Sequence, residues 1–348
     1  MLGEMTTRKP CRCLSLLLMV CSLFGCGTAD HSASKIISGS LLTYGHLQDP
    51  GVPPLAAVST RPRISLVLGG GGLRGYAHIG VLQALEDAGI KPDMVVGTSI
   101  GSIIGAAYAA GNTPDQIWQM ATTLRVFSLA DLNIHGPAFV RGDALANWAD
   151  ELVGGKAIEH FPVRFAAVAT ELNLSLPYII TAGDAGQGLR ASAAIPGVFL
   201  PVKSHGLTLV DGGVSALVPV RAARALGADV VIAVDIYCHG QRYPVTSAFS
   251  VLLRVSQAQT CLLARPEADS ADVLITPAVK PAGIYDAEGR ETARQLGYQA
   301  TVEKLPLIRS VLEHSRLSER GSLSAPNGTF SKHSGAQRKI FPAPSQAN

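Results

Sequence analysis

Hydrophobic and polar positions divide this chain sharply. Residues 14–24 are an apolar run of about 11 residues, interrupted only by Ser15 and Ser22, and too short for a membrane-spanning helix. Residues 27–62 are rich in Ser, Thr, Gly and Pro and hold no sustained period, which predicts a flexible tether over 26–62. From 63 to about 315, short β-branched runs alternate with segments whose apolar residues recur every three or four positions. Strands are expected at 64–68, 94–96, 163–170, 178–181, 207–210, 229–235 and 272–276. Helices are expected at 76–88, 100–110, 143–153, 219–227, 246–265 and 288–315, with another opening at Thr113-Pro114-Asp115-Gln116, a capping-box sequence with proline at its first position. Several runs are apolar throughout rather than alternating, the pattern of strands covered on both faces, so the expected class is α/β with a mainly parallel central sheet. From Arg316 onward the polar composition predicts a disordered tail.

Composition narrows this further. The 348 residues are 47% hydrophobic and 16% charged, with 36 glycines, suited to helices packed closely on buried strands. Arg8, Lys9 and Arg12 against Glu4 supply +2 of the formal net charge of +3, and no basic patch of the kind nucleic acid requires stands out. Those N-terminal cations followed by the 14–24 run have the form of an export signal over 1–25. Leu23-Phe24-Gly25-Cys26 resembles a bacterial lipobox, which implies cleavage before Cys26 and its lipidation. Phe24 departs from the small residue usual there, and a plain secretory signal or an uncleaved anchor are the alternatives. The expected address is the bacterial cell envelope: Gly27 after the cysteine favours the outer membrane, with a periplasmic or secreted protein as the alternative. Beyond the signal and Cys26, only Cys238 and Cys261 remain; they allow one disulfide and make no zinc site. No metal and no cofactor is expected.

The chemistry concentrates at strand ends. Gly97-Thr98-Ser99-Ile100-Gly101 follows the 94–96 run and precedes a small-residue helix, the strand–turn–helix context of a nucleophile elbow. One strand earlier, Gly70-Gly71-Gly72-Leu73-Arg74-Gly75 lies between a strand and a helix. It satisfies a dinucleotide-binding pattern, but the next strand ends in Gly97-Thr98-Ser99 rather than in the acidic residue a ribose needs. The same loop could serve as an oxyanion hole, since consecutive glycines expose backbone N–H groups at a helix N-terminus. Two strand-ending carboxylates follow Ser99. Asp211, in Asp211-Gly212-Gly213, sits in an open turn and is favoured as the proton acceptor; Asp235 has the form of a structural cap. A Ser-Asp-His triad remains the alternative, with His239 or His314 late enough in the chain. His78 is expected to face a neighbouring helix or solvent, and His205 a polar turn.

Taken together, Gly70–Gly75, Gly97–Gly101, the run Ala191-Ser192-Ala193-Ala194-Ile195-Pro196-Gly197-Val198-Phe199-Leu200-Pro201 and Asp211-Gly212-Gly213 resemble the four blocks of the patatin-like phospholipases, in order, over about 63–277. The resemblance implies a three-layer α/β/α sandwich, with the hydrolase domain at 63–315 and the tail at 316–348. It implies a lipid acyl hydrolase acting on membrane phospholipid or lysophospholipid, with Ser99 as nucleophile and Asp211 as base. In that resemblance the Gly70–Gly72 amides form the oxyanion hole, with Arg74 supporting the loop. Many members carry asparagine shortly after Asp-Gly-Gly, where this chain reads Val214-Ser215-Ala216-Leu217-Val218-Pro219. The rival readings are a serine esterase or thioesterase acting on other esters, and a catalytically silent envelope lipoprotein.

Overall fold

The computed structural model describes residues 37–43, 46–48, 62–281, 283 and 286–323. Within them the chain runs β1 (Ile37–Thr43), β2 (His46–Gln48), β3 (Ile64–Leu68), α1 (Tyr76–Asp87), β4 (Met94–Thr98), α2 (Ile100–Ala109), α3 (Pro114–Thr123), α4 (Asp143–Leu152), β5 (Arg164–Glu171) and β6 (Leu176–Gly183). It continues through α5 (Ala185–Ser192), β7 (Val202–Ser204), β8 (Leu207–Asp211), α6 (Val220–Ala225), β9 (Val230–Val234), α7 (Ala248–Ala268), β10 (Val273–Ile275) and α8 (Ala287–Leu323). The strands form one sheet in the order β10-β9-β3-β4-β5-β6-β1-β2, with β8 added to β5 and β7 to β8. The β10–β9–β3–β4–β5 core is parallel, and β6, β1, β2, β7 and β8 pair antiparallel.

The central parallel strands β3, β4 and β9 are buried throughout because helices cover both faces. Along β3, Leu66 and Leu68 point into one apolar layer, with Leu82 and Leu85 of α1 and Ile103 and Ile104 of α2. Val67 points into the other, with Ala222 and Ala223 of α6 and Ala264 and Ala268 of α7. This is a three-layer α/β/α sandwich. The capping box at Thr113 forms with both its bonds, Gln116 N to Thr113 Oγ1 at 3.3 Å and Thr113 N to Gln116 Oε1 at 2.9 Å.

Two expectations need correction. Part of the expected tether is sheet: β1 pairs antiparallel with β6, burying Ile37 and Leu42, and β2 folds back on β1. Residues 316–323 of the expected tail are helical, since α8 continues to Leu323. The signal segment, Cys26 and 324–348 lie outside the described residues.

Candidate active site

The register around β5 brings the two predicted catalytic residues together. β4 runs parallel along one edge of β5 until Thr98 meets Val168. β6 occupies the opposite edge, pairing Ala167 with Ile180 and Ala169 with Tyr178. β8 must therefore lie on the same edge as β4, and it arrives head-on, with Asp211 opposite Ala169. The end of β4 and the end of β8 meet at adjacent positions of one strand, which sets Ser99 against Asp211.

Ser99 has φ 54 and ψ −125, outside the regions an L-residue prefers, a conformation costing roughly 1–3 kcal/mol. Neighbouring groups hold it there. Its amide donates to Ser192 Oγ at 3.0 Å, and that hydroxyl donates to Val168 O at 2.6 Å. Its carbonyl accepts from Ser102 N at 2.9 Å and Ser102 Oγ at 2.6 Å. A Cβ on Gly97 would lie 2.5 Å from Gly101 O and Ser102 Cα, and one on Gly101 would enter the backbone of Leu68. The glycines are thus required by the sharp strand-to-helix turn itself. Ser192 escaped the sequence reading; its only signal was a hydroxyl inside the Ala191–Ala194 small-residue run.

The glycine loop of β3 abuts this turn, since a Cβ on Gly70 would touch Ser99 Cβ at 3.4 Å. Its amides are unequal. Gly70 N donates to Leu217 O at 3.0 Å, Arg74 N to Gly71 O at 3.3 Å and Gly75 N to Gly72 O at 3.0 Å. Gly70 is therefore removed from the expected set of anion donors, as are the Arg74 and Gly75 amides. The amides of Gly71, Gly72 and Leu73 have no acceptor among the described residues. Arg74 is buried beneath the loop: its guanidinium donates to Gly71 O at 3.5 Å and Gln241 O at 3.0 Å and lies 4.9 Å from the Tyr237 ring centre. His78, expected to face a helix or solvent, is fully buried behind the loop. Its Nε2–H donates to Gly69 O at 2.8 Å, and burial lowers its pKa to about 4, so the ring is neutral.

Asp211 is 7% exposed. Burial raises its pKa to about 6, against the opposing pull of the Ser99 hydroxyl and of the Gly213 amide, which donates to Oδ1 at 2.7 Å. Other side chains brace the turn. Thr98 Oγ1 donates to Ala216 O at 2.8 Å, and the hydroxyls of Thr170 and Ser215 share a bond at 2.8 Å.

The alternative bases are occupied elsewhere. Asp235 accepts from Tyr237 N at 2.8 Å, Cys238 N at 2.9 Å and His239 Nδ1 at 3.0 Å, and together these donors hold its pKa below the usual carboxylate range. His205 contacts Ile37 O at 3.2 Å, and His314 bonds Ser310 O on exposed α8. Cys238 and Cys261 are joined as a disulfide, tying the loop after β9 to α7. Ser99 and Asp211 open into a cleft of about 460 Å³ whose walls include Leu73, Ile195, Pro196, Tyr237, Tyr243 and Leu253; among the described residues no histidine lines it. The arrangement offers a strained, positioned hydroxyl, one under-solvated carboxylate and a set of open amides, the parts of an acyl-transfer site. Among the described residues no group of three or more His, Cys, Asp or Glu is placed to hold a metal ion.

Residues 66–224 match the family model described as patatin-like phospholipase. An uncharacterized NTE family protein of Mycobacterium tuberculosis is 37% identical over 180 residues, covering 51% of this chain and 50% of that protein. "Lysophospholipase NTE1" of Yarrowia lipolytica is 39% identical over 188 residues (52% and 13%). Human "patatin-like phospholipase domain-containing protein 6" is 37% identical over 190 residues (52% and 14%). The chain thus spans at most half the length of these relatives. Among solved structures, VipD from Legionella pneumophila aligns with a TM-score of 0.49 at 14% identity, over 81% of this chain and 71% of that one.

Proposed function

Residues 66–224 are a patatin-like phospholipase domain, and from that premise we propose that the chain is a lipid acyl hydrolase working through a Ser99–Asp211 dyad. The observation that carries this reading is the meeting of Ser99, at φ 54, with the carboxyl of Asp211, whose pKa is about 6. Asp211 takes the hydroxyl proton as Ser99 Oγ bonds to the ester carbonyl carbon. The carbonyl oxygen becomes an oxyanion facing the open amides of Gly71 and Gly72, each such donor contributing on the order of 3 kcal/mol. The C–O bond to the alcohol then breaks, and Asp211 returns its proton to the leaving oxygen. Water, deprotonated by Asp211, attacks the acyl-Ser99 ester; the C–Oγ bond breaks, Asp211 returns the proton to Ser99 Oγ, and the fatty acid is released. A carboxylate with a pKa near 6 is a stronger base than an ordinary one and is still mostly ionised at pH 7. Catalysis at this site therefore has no need of histidine.

The test is mass spectrometry of products released from phospholipid and lysophospholipid by the wild type and by Ser99→Ala. Free fatty acid from the wild type and none from the folded variant is the expected outcome. Release that survives Ser99→Ala overturns the mechanism, and cleavage confined to short water-soluble esters overturns the lipid substrate. We also assign the protein to the cell envelope, anchored through lipidated Cys26. Labelling with palmitate that persists in Cys26→Ser would sink that assignment.

A further inference from the structure

Helix α7 is anchored firmly at one end only. Its rear half is built into the molecule: Ala264 and Ala268 are buried in the apolar layer that holds Val67, and Glu267 accepts from Arg221 N of α6 at 2.9 Å. Its front half is not. Among the described residues, Gln257 is the one buried side chain from 248 to 260, and none of that stretch belongs to either apolar layer. The front half is tied instead to the loop that follows β9. Gln257 Oε1 accepts from Tyr243 N at 3.1 Å, Gln257 Nε2 donates to Tyr237 O at 3.4 Å, and Arg254 Nη1 donates to Tyr243 O at 2.9 Å. Such bonds trade against bonds to water, and their net contribution is modest. Directly behind them Pro266 lies inside the helix and has no N–H for the carbonyl four residues earlier, so the helix is weakest between its two halves.

That front half is also a wall of the catalytic cleft. Leu253, Ser256 and Thr260 line the cleft from α7, and Tyr237 and Tyr243 line it from the loop. One covalent bond fixes this wall to the sheet. The Asp235 carboxylate at the end of β9 accepts from Cys238 N at 2.9 Å, and Cys238 is bonded to Cys261, where the front half of α7 meets the rear. The same disulfide faces a second cavity of about 490 Å³, lined also by His239, Arg242 and Leu262, which shares no lining residue with the cleft of Ser99. This cavity opens to solvent past exposed His239 and Leu262. Cys238 is half-buried and Cys261 is 9% exposed, so an incoming sulfur has a path and reaches Cys238 first. Arg242 on the same cavity wall favours the thiolate, the form in which sulfur attacks and leaves.

We propose that Cys238–Cys261 is a thiol–disulfide exchange site, acted on by a dithiol at the second cavity, and that its state decides whether the α7 wall of the catalytic cleft is closed. A thiolate of the dithiol attacks Cys238 Sγ; the bond to Cys261 breaks, and Cys261 leaves as a thiolate. The second thiolate of the dithiol then attacks its own sulfur in the mixed disulfide and frees Cys238. The dithiol ends as a disulfide, and the chain has gained two electrons and two protons. Reduced, the front half of α7 keeps only its hydrogen bonds and swings at Pro266. Ser99 and Asp211 stay in place, since β4, β5 and β8 hold them. What is lost is wall for a long acyl chain. That consequence rests on the lipid-hydrolase reading; the opening itself does not.

The test compares three forms of the full chain: oxidised, reduced by dithiothreitol and then blocked with iodoacetamide, and Cys238→Ser with Cys261→Ser. Peptide mass spectrometry is expected to find positions 238 and 261 blocked under conditions where circular dichroism shows the fold intact. Amide hydrogen exchange over 248–259 is expected to be about tenfold faster in both altered forms and unchanged in β9. KM for p-nitrophenyl laurate is expected to rise on the order of tenfold, while kcat/KM for p-nitrophenyl acetate stays within about twofold. Oxidised glutathione, given before blocking, restores the wild type and leaves the double variant unchanged. Cysteines that stay bonded until the chain unfolds overturn the exchange site. Unchanged exchange over 248–259, or equal losses on the two esters, overturns the control of the wall. Should the double variant not fold, the reduced and blocked wild type carries the same readouts. If exchange responds as expected and no form cleaves either ester, the proposal stands and the hydrolase reading falls.

Discussion

Asp211 and Asp235 differ more than their settings suggest. Each closes a strand of the same sheet, each is buried, and each accepts the amide two residues on, Gly213 N at 2.7 Å and Tyr237 N at 2.8 Å. Yet burial wins at Asp211 and raises its pKa to about 6, whereas Asp235 is held below the usual range. The number of donors decides this. Asp235 gains a second amide from Cys238 and the ring of His239, enough to replace the water it lost. Among the described residues, the donors to the Asp211 carboxyl are one amide and the Ser99 hydroxyl. A carboxylate left short of donors in a water-poor site is a base in waiting; one with its donors supplied is a cap.

The comparison is broken most directly by exchanging each carboxylate for its amide. Asp211→Asn is expected to lower kcat for ester hydrolysis by on the order of 10⁴-fold, as removal of a catalytic-unit member does elsewhere. Asp235→Asn is expected to stay within about fivefold of wild type at a temperature where it is folded. Comparable losses from both would mean that the Asp235–His239 pair takes part in proton transfer and would restore the triad. The second break is pH. Only ionised Asp211 accepts a proton, so kcat/KM on a water-soluble ester should climb about tenfold per pH unit below about 6 and level off above it. A profile still falling through pH 7, or one flat down to pH 4, would show that Asp211 is not the titrating base.

Much of this site was legible in the sequence, and the part that was not has a common cause. Gly97-Thr98-Ser99-Ile100-Gly101 carries its strain in its own glycines, and the run after Ile64 shows its burial by having no polar alternation. Those are local signals. The end-to-end meeting of β4 and β8 along β5 is a matter of register between segments more than 100 residues apart, which no local pattern encodes. For the same reason the loss of the Gly70 amide to Leu217 O could not be foreseen from the glycine loop alone. Helix α5 was missed because Gly186 and Gly188 depress its propensity, although Asp184 capping Gln187 N at 2.8 Å was a usable cue. β1 was hidden by its Ser and Gly and by polar neighbours on both sides.

The smallest expected effect is the most discriminating, because its sign differs between the two aspartates. A native pKa raised to about 6 means the folded protein binds that proton more tightly than the unfolded chain. The associated stability is present in full below about pH 4 and lost as pH rises through about 6. At pH 7 wild type therefore carries an unfavourable buried charge worth about 2–3 kcal/mol for a shift of that size. Asp211→Asn removes it while keeping an oxygen for Gly213 N–H, so its Tm should exceed wild type by several degrees at pH 7 and match it near pH 4. Asp235 has a depressed native pKa, so its contribution is present above the ordinary carboxylate range and lost as pH falls through the native value. Asp235→Asn should accordingly lower Tm at pH 7, by an amount that shrinks on acidification. Scanning calorimetry of the two variants at pH 7 and pH 4 reads both signs. If both substitutions lower Tm at pH 7, Asp211 is better supplied with donors than its neighbours indicate, and the distinction between base and cap fails.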